Sequence, residues 1–189
     1  MRIIGGKFRS RKVHSAHEPN SCIKGNISGY RPTTDRARET LFNVLNNIID
    51  FDKTVCLDLF AGSGAIGFEL ISRGAESCDM VENSVKQVNN IKKTAMELGC
   101  AENISIYEEN VLTFLKRHNN KFYDIIFADP PYNYEFYNEL TKEILNTQFT
   151  IFILEHAGES AGMFNLNDFE VKHRNVGMTN FTILIKKEQ

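Results

Sequence analysis

The chain has 189 residues, 42% of them hydrophobic and 24% charged, with 12 Gly and only 4 Pro. This fits one globular domain on the usual scale of about 100–200 residues and excludes disordered, collagen-like and disulfide-scaffold chains. The net charge of −2 conceals a split, +6 over residues 1–40 against −8 over the remainder; a phosphate-binding arm and a solvated basic tail stand level on charge alone.

In chain order, residues 2–4 and 11–14 are short extended stretches joined through Gly5-Gly6, a predicted hairpin carrying Arg2, Lys7, Arg9, Arg11 and Lys12. Residues 15–31 read as a loop around Pro19, Gly25 and Gly29. Ala37, Leu41, Val44, Leu45 and Ile48 then recur at helical spacing, predicting a helix over 35–49 with Thr34 as its cap. Strands are expected at 54–60, 77–82, 104–107, 122–128 and 150–155, and helices at 65–73, 84–98, 111–118 and 134–145. That alternation means right-handed crossovers and a parallel sheet covered on both faces. Segments 169–175 and 180–187 lie too close together for a crossover and predict an antiparallel hairpin turning at Gly177. A seven-stranded sheet results.

Cys22, Cys56, Cys78 and Cys100 form no C-x-x-C pair and read as reduced thiols rather than a zinc or redox site. The five histidines are scattered, and no metal is expected. Without an apolar run of membrane length or a signal-peptide pattern, the expectation is a cytoplasmic protein with no membrane partner.

The first strand runs into Phe60-Ala61-Gly62-Ser63-Gly64, opening a G-x-G-x-x-G turn before a helix, and Glu82-Asn83 closes the next strand twenty residues after Gly62. Glycines there let a backbone approach a ligand, and an acid at that distance accepts ribose hydroxyls, which together indicate a nucleoside-containing cofactor. Asp58 adds a carboxylate that suits the amino-acid end of S-adenosylmethionine better than a pyrophosphate; a strand-end aspartate with only a capping role is the alternative. Asp129-Pro130-Pro131-Tyr132 follows the fourth strand, where ligands of open α/β sheets bind. Two prolines withhold two N–H donors and leave carbonyls free. Asp129 and the Pro130 carbonyl can accept the two hydrogens of an exocyclic amine, and Tyr132 can stack on its base.

The strings Asp58-Leu-Phe-Ala-Gly-Ser-Gly64 and Asp129-Pro-Pro-Tyr132 resemble the amino-directed S-adenosylmethionine methyltransferases of nucleic acids. Arg2-Ile-Ile-Gly-Gly6, Arg31-Pro-Thr-Thr-Asp-Arg36, Arg38-Glu-Thr-Leu-Phe-Asn43 and Leu70-Ile-Ser-Arg-Gly-Ala75 resemble, more narrowly, the RsmD family of bacterial 16S rRNA guanine-N2 methyltransferases. The resemblance implies a Rossmann-like class I methyltransferase fold, S-adenosylmethionine as cofactor, and 16S rRNA of an assembling small subunit as partner, with a monomer expected. It implies that Gly62 and Gly64 pass under the methionine, Glu82 holds the ribose, Asn110 and Val111 border the adenine, and Asp129 to Tyr132 hold the target guanine. The hairpin residues with Arg31, Thr33, Thr34, Arg36 and Arg38 would meet RNA phosphates. The expected division is a contact extension over 1–31 and a catalytic domain over 32–189. Adenine-N6 methylation of DNA or another RNA, and a non-catalytic assembly factor, are the competing expectations.

Overall fold

The structure, a computed structural model, describes residues 1–15, 34–131, 133–156 and 166–187. Its strands are β1 (Val55–Leu59), β2 (Ser77–Val81), β3 (Ile104–Tyr107), β4 (Phe122–Ala128), β5 (Gln148–His156), β6 (Phe169–Val176) and β7 (Thr179–Lys186). They form one sheet in the order β3-β2-β1-β4-β5-β7-β6. β1 to β5 pair in parallel, while β7 lies antiparallel between β5 and β6, which leaves β6 at the edge.

The helices are α1 (Asp35–Leu45), α2 (Ala65–Arg73), α3 (Val85–Leu98), α4 (Val111–His118) and α5 (Tyr137–Asn146). Local chemistry sets their ends. Thr34 caps α1 by accepting from the Ala37 N–H, and Asn110 caps α4 by accepting from Leu112 and Thr113. Gly99 stops α3 in the left-handed conformation that residues bearing a Cβ disfavour. α1 ends four residues short of its predicted limit, the chain continuing as turns through Ile48. α5 begins three residues later than predicted, because the Tyr134 N–H bonds the Pro131 carbonyl at 2.8 Å and spends those residues on a turn.

The sheet separates two apolar layers. On one face Ile3, Val13, Leu41, Phe42, Phe68, Ile71 and Ile91 pack against alternate residues of the strands, including Cys56, Ile125 and Ile153. On the other, Phe114 and Leu115 of α4 with Leu140 and Ile144 of α5 cover Leu57, Leu59, Ile126 and Phe152. Each fully buried Phe, Ile or Leu stabilises by about 1.5–3 kcal/mol relative to exposure. Cys56, Cys78 and Cys100 are buried free thiols, and burial pushes Cys56 up to about 12; Cys22 lies outside the described residues.

The predicted N-terminal hairpin is reduced to one antiparallel bridge, Arg2 with Lys12, around a short 3-10 turn at Gly6–Phe8. The connections from β1 to β2 and from β4 to β5 leave the centre of the sheet in opposite directions. The crevice between the carboxyl ends of β1 and β4 is thus the switch point where an open α/β sheet binds ligands.

Candidate active site

Beyond β1 the backbone is left-handed at Phe60, Gly62 and Gly64, with φ of 60°, 56° and 76°. The Gly64 N–H closes the turn on the Ala61 carbonyl at 2.7 Å. Glu82 accepts from the Gly62 and Ser84 N–H groups, both at 2.8 Å, so the acid at the end of β2 holds the glycine turn in place. A carboxylate has about four acceptor positions, and two N–H groups leave room for sugar hydroxyls.

Asp58 is buried beneath the same turn and accepts the Gly67 N–H at 3.0 Å. Burial raises its pKa to about 7; the Gly67 bond works against the rise and the Glu82 charge adds to it. Asn110 and Val111 lie at the start of α4, Asn110 exposed and Val111 buried; Asn83 is exposed.

Asp129 leaves β4 one residue after Ala128, followed by buried Pro130 and exposed Pro131. Tyr132 lies outside the described residues. Burial lifts the Asp129 carboxyl well above the usual range, followed in effect by the charges of Glu155 and Asp58. The register aligns Ala128 with Leu59 and Leu154, which brings the ends of β1 and β4 level and lets β5 run two residues further. By strand alternation Asp58, Asp129 and Glu155 share the face of Ile125 and Ile151. Glu155, 2% exposed, is a member of the site that the sequence did not reveal, since an acid ending an apolar strand reads as a boundary. Tyr134 was missed too; its ring meets Phe60 edge-on at 5.2 Å.

The basic arm is built into the domain. Glu69 of α2, with no exposed surface, accepts from the Ile4 N–H at 2.7 Å, the Gly5 N–H at 2.8 Å and Arg73 Nε at 2.9 Å. Ser72 Oγ donates to the Gly5 carbonyl and accepts from the Phe8 N–H. A Cβ on Gly6, whose φ is +70°, would overlap the Ser72 carbonyl, so the Ile-Ile-Gly-Gly motif is a docking clip on α2.

Lys7, Arg9, Lys12 and Arg36 are exposed. Arg2 is exposed but pairs with Asp35 at 3.0 Å, and Arg11 Nη2 donates to the Glu97 carbonyl. Arg38 requires a correction: it is fully buried, donating to the Arg2 carbonyl at 2.8 Å and to Asp35 at 2.7 Å, and offers no surface to a phosphate. Arg31 and Thr33 lie outside the described residues.

The family model described as conserved hypothetical protein 95 matches residues 1–185. Ribosomal RNA small subunit methyltransferase D of Buchnera aphidicola is 40% identical over 144 residues, 76% of this chain and 67% of that protein. The enzyme of that name from Escherichia coli K12 is 39% identical over 132 residues, 70% of this chain and 60% of that protein. The chain belongs to the RsmD family. Its matched part spans about three fifths to two thirds of these relatives.

Among solved structures, the candidate methyltransferase yhhF of Escherichia coli superposes with a TM-score of 0.80 at 28% identity, over 100% of this chain and 99% of that one. Haemophilus influenzae methylase HI0767 gives 0.75 at 25% identity, over 99% and 98%. The family and the sheet order make this a class I methyltransferase fold, the fold of S-adenosylmethionine-dependent enzymes. The crevice residues fit that cofactor. Asp58 is a buried acid on which no Lys or Arg among the described residues acts, a position suited to the cationic amino group of a ligand, and the left-handed glycine turn lies directly above it. Among the described residues no His, Cys, Asp and Glu cluster could hold a metal ion, and no helix is long and apolar enough to cross a membrane.

Proposed function

We propose that this RsmD-family protein methylates the exocyclic N2 amine of a guanine in small-subunit ribosomal RNA. The observation that carries the reading is the placing of Asp58, Asp129 and Glu155 on one face of the sheet at the switch point, Asp129 level with Glu155 and Asp58 two register positions below, beside a left-handed glycine turn held by Glu82. S-adenosylmethionine supplies an electrophilic methyl group on a positively charged sulfur. The chain supplies position and proton handling.

The N2 lone pair of guanine is delocalised into its ring, so the enzyme gains by orienting the amine and receiving charge as it develops. Asp129 and the Pro130 carbonyl accept the two amine hydrogens and turn the lone pair toward the methyl. An amine that takes up a methyl group would have one proton to give up. An Asp129 carboxyl held above its ordinary range is a better acceptor for it than a solvated aspartate.

A stacked base cannot reach this crevice, so the guanine is turned out of its strand. Exposed Lys7, Arg9, Lys12 and Arg36, with Arg2 and Arg11, supply cationic contacts to the flanking phosphates. Residues 1–31 thereby serve as the contact extension of a catalytic body over 32–189. The protein acts as a monomer in the cytoplasm.

The test is transfer of labelled methyl from S-adenosylmethionine to small-subunit particles lacking the modification, followed by nucleoside analysis. N2-methylguanosine is expected, and Asp129→Ala should lower kcat by about 100-fold or more while cofactor Kd stays within about threefold. Label on adenine would overturn the guanine assignment. No label, despite cofactor binding, would overturn rRNA methylation altogether.

A further inference from the structure

Tyr134 belongs to both halves of the crevice. Its N–H bonds the Pro131 carbonyl and fixes the loop that follows Asp129. Its ring packs edge-on against Phe60 at 5.2 Å, Phe136 at 5.9 Å and Tyr137 at 5.8 Å. Phe60 is the left-handed residue that leads into the glycine turn, so this one side chain touches the cofactor turn while its own backbone shapes the target loop.

The phenol oxygen is buried and has no hydrogen-bond partner; among the described residues the only other buried side-chain atoms so placed are Nε and Nη1 of Arg38. A covered hydroxyl without a partner destabilises the free protein, and native structures hold few of them. Burial, with the Glu139 charge, raises its pKa, so it remains a protonated donor at neutral pH.

On the proposed reading, Asp129 and the Pro130 carbonyl occupy the amine of the target guanine. The next polar atoms along that base edge are N1–H and O6, which flipped-base enzymes read by hydrogen bonds. A tyrosine hydroxyl can donate to O6 or accept from N1–H. Asn133, Glu135 and Phe136 beside it are exposed, so the hydroxyl lies beneath a surface loop rather than deep in the core.

We propose that Tyr134 is a positioning residue whose hydroxyl is unpaired in the free protein and becomes paired with the Watson–Crick edge of the target guanine. This inference rests on the guanine-N2 reading and adds a third polar contact to it.

The test compares the full-length wild type with Tyr134→Phe in three measurements: thermal midpoint of the free protein, Kd for S-adenosylmethionine, and kcat/KM for unmodified small-subunit particles. The expected result is a midpoint raised by about 2–4 °C, an unchanged cofactor Kd, and kcat/KM lowered about three- to tenfold. A merely structural hydroxyl would not lower transfer while raising stability. Equal kcat/KM for the two proteins overturns the inference, as does a lowered midpoint, which would mean that the hydroxyl was already paired. Loss confined to Tyr134→Leu, with Tyr134→Phe like wild type, assigns the effect to the ring and overturns it as well. A wild type inert toward the particles overturns the guanine reading itself, a result separable from parity between two active proteins.

Discussion

Glu69 and Asp58 are both buried carboxylates in contact with helix α2, yet their surroundings differ. Glu69 accepts two backbone N–H groups from the arm and the Arg73 guanidinium, whose cation also lies 4.6 Å from the Phe42 ring centroid. Asp58 accepts one N–H and faces the negative charge of Glu82. Buried charges are stable when saturated with donors and a cation and costly when they are not. The first arrangement is a joint that holds a segment in place. The second keeps acceptor capacity open toward a crevice, where an incoming cation would relieve it.

Removing the joint should have the largest effect. Glu69→Ala leaves Arg73 without its partner and the Ile4 and Gly5 N–H groups unpaired, and should cost about 3–5 kcal/mol in urea unfolding. A loss below about 1 kcal/mol would mean that the arm is not anchored through this residue.

Asp58 sharpens the comparison through pH. Its folded pKa of about 7 lies above the ordinary 3.8, so between those values the folded state holds a proton that the unfolded state has released. Its contribution to the free protein is therefore full below about pH 4 and is lost as pH rises through about 7, a change on the order of 4 kcal/mol for a group this buried. Unfolding of wild type and Asp58→Asn from pH 5 to 8 should show the steeper decline in wild type. Cofactor affinity of wild type should rise over the same range as the carboxylate ionises. Parallel stability curves would show that Asp58 is not strained by burial.

The smallest effect belongs to the arm's exposed cations. Lys7→Ala, Arg9→Ala or Lys12→Ala should each reduce the slope of log K for RNA against log salt by about 0.7–0.9, with stability changed by no more than about 0.5 kcal/mol. An unchanged slope would remove that residue from the phosphate contacts.

Periodicity and turn chemistry carried most of the architecture. Apolar runs ending in glycine or an acid marked the parallel strands, and Thr34 was readable as a cap because its effect is local. Contacts made across the chain left no such mark. Arg38 reads like its exposed neighbour Arg36 until the Arg2 carbonyl, 36 residues away, is brought to it. Glu69 looks like the polar side of an ordinary helix, because its partners Ile4 and Gly5 lie 65 and 64 residues earlier. Asp58 and Asp129 could be picked out because each borders a turn motif. Glu155 borders none and joins them only through strand register.

The clip between Gly5-Gly6 and α2 also imposes an order of events during synthesis. Ile4, Gly5 and Phe8 are synthesised before their acceptors and pair with them only after the Glu69 to Arg73 stretch has been made and coiled into α2. Until then Ile3 and Val13, both destined for full burial, have no surface to cover them. This segment is thus made well before it settles, and the closure of that long loop reports that the first crossover of the sheet is in place.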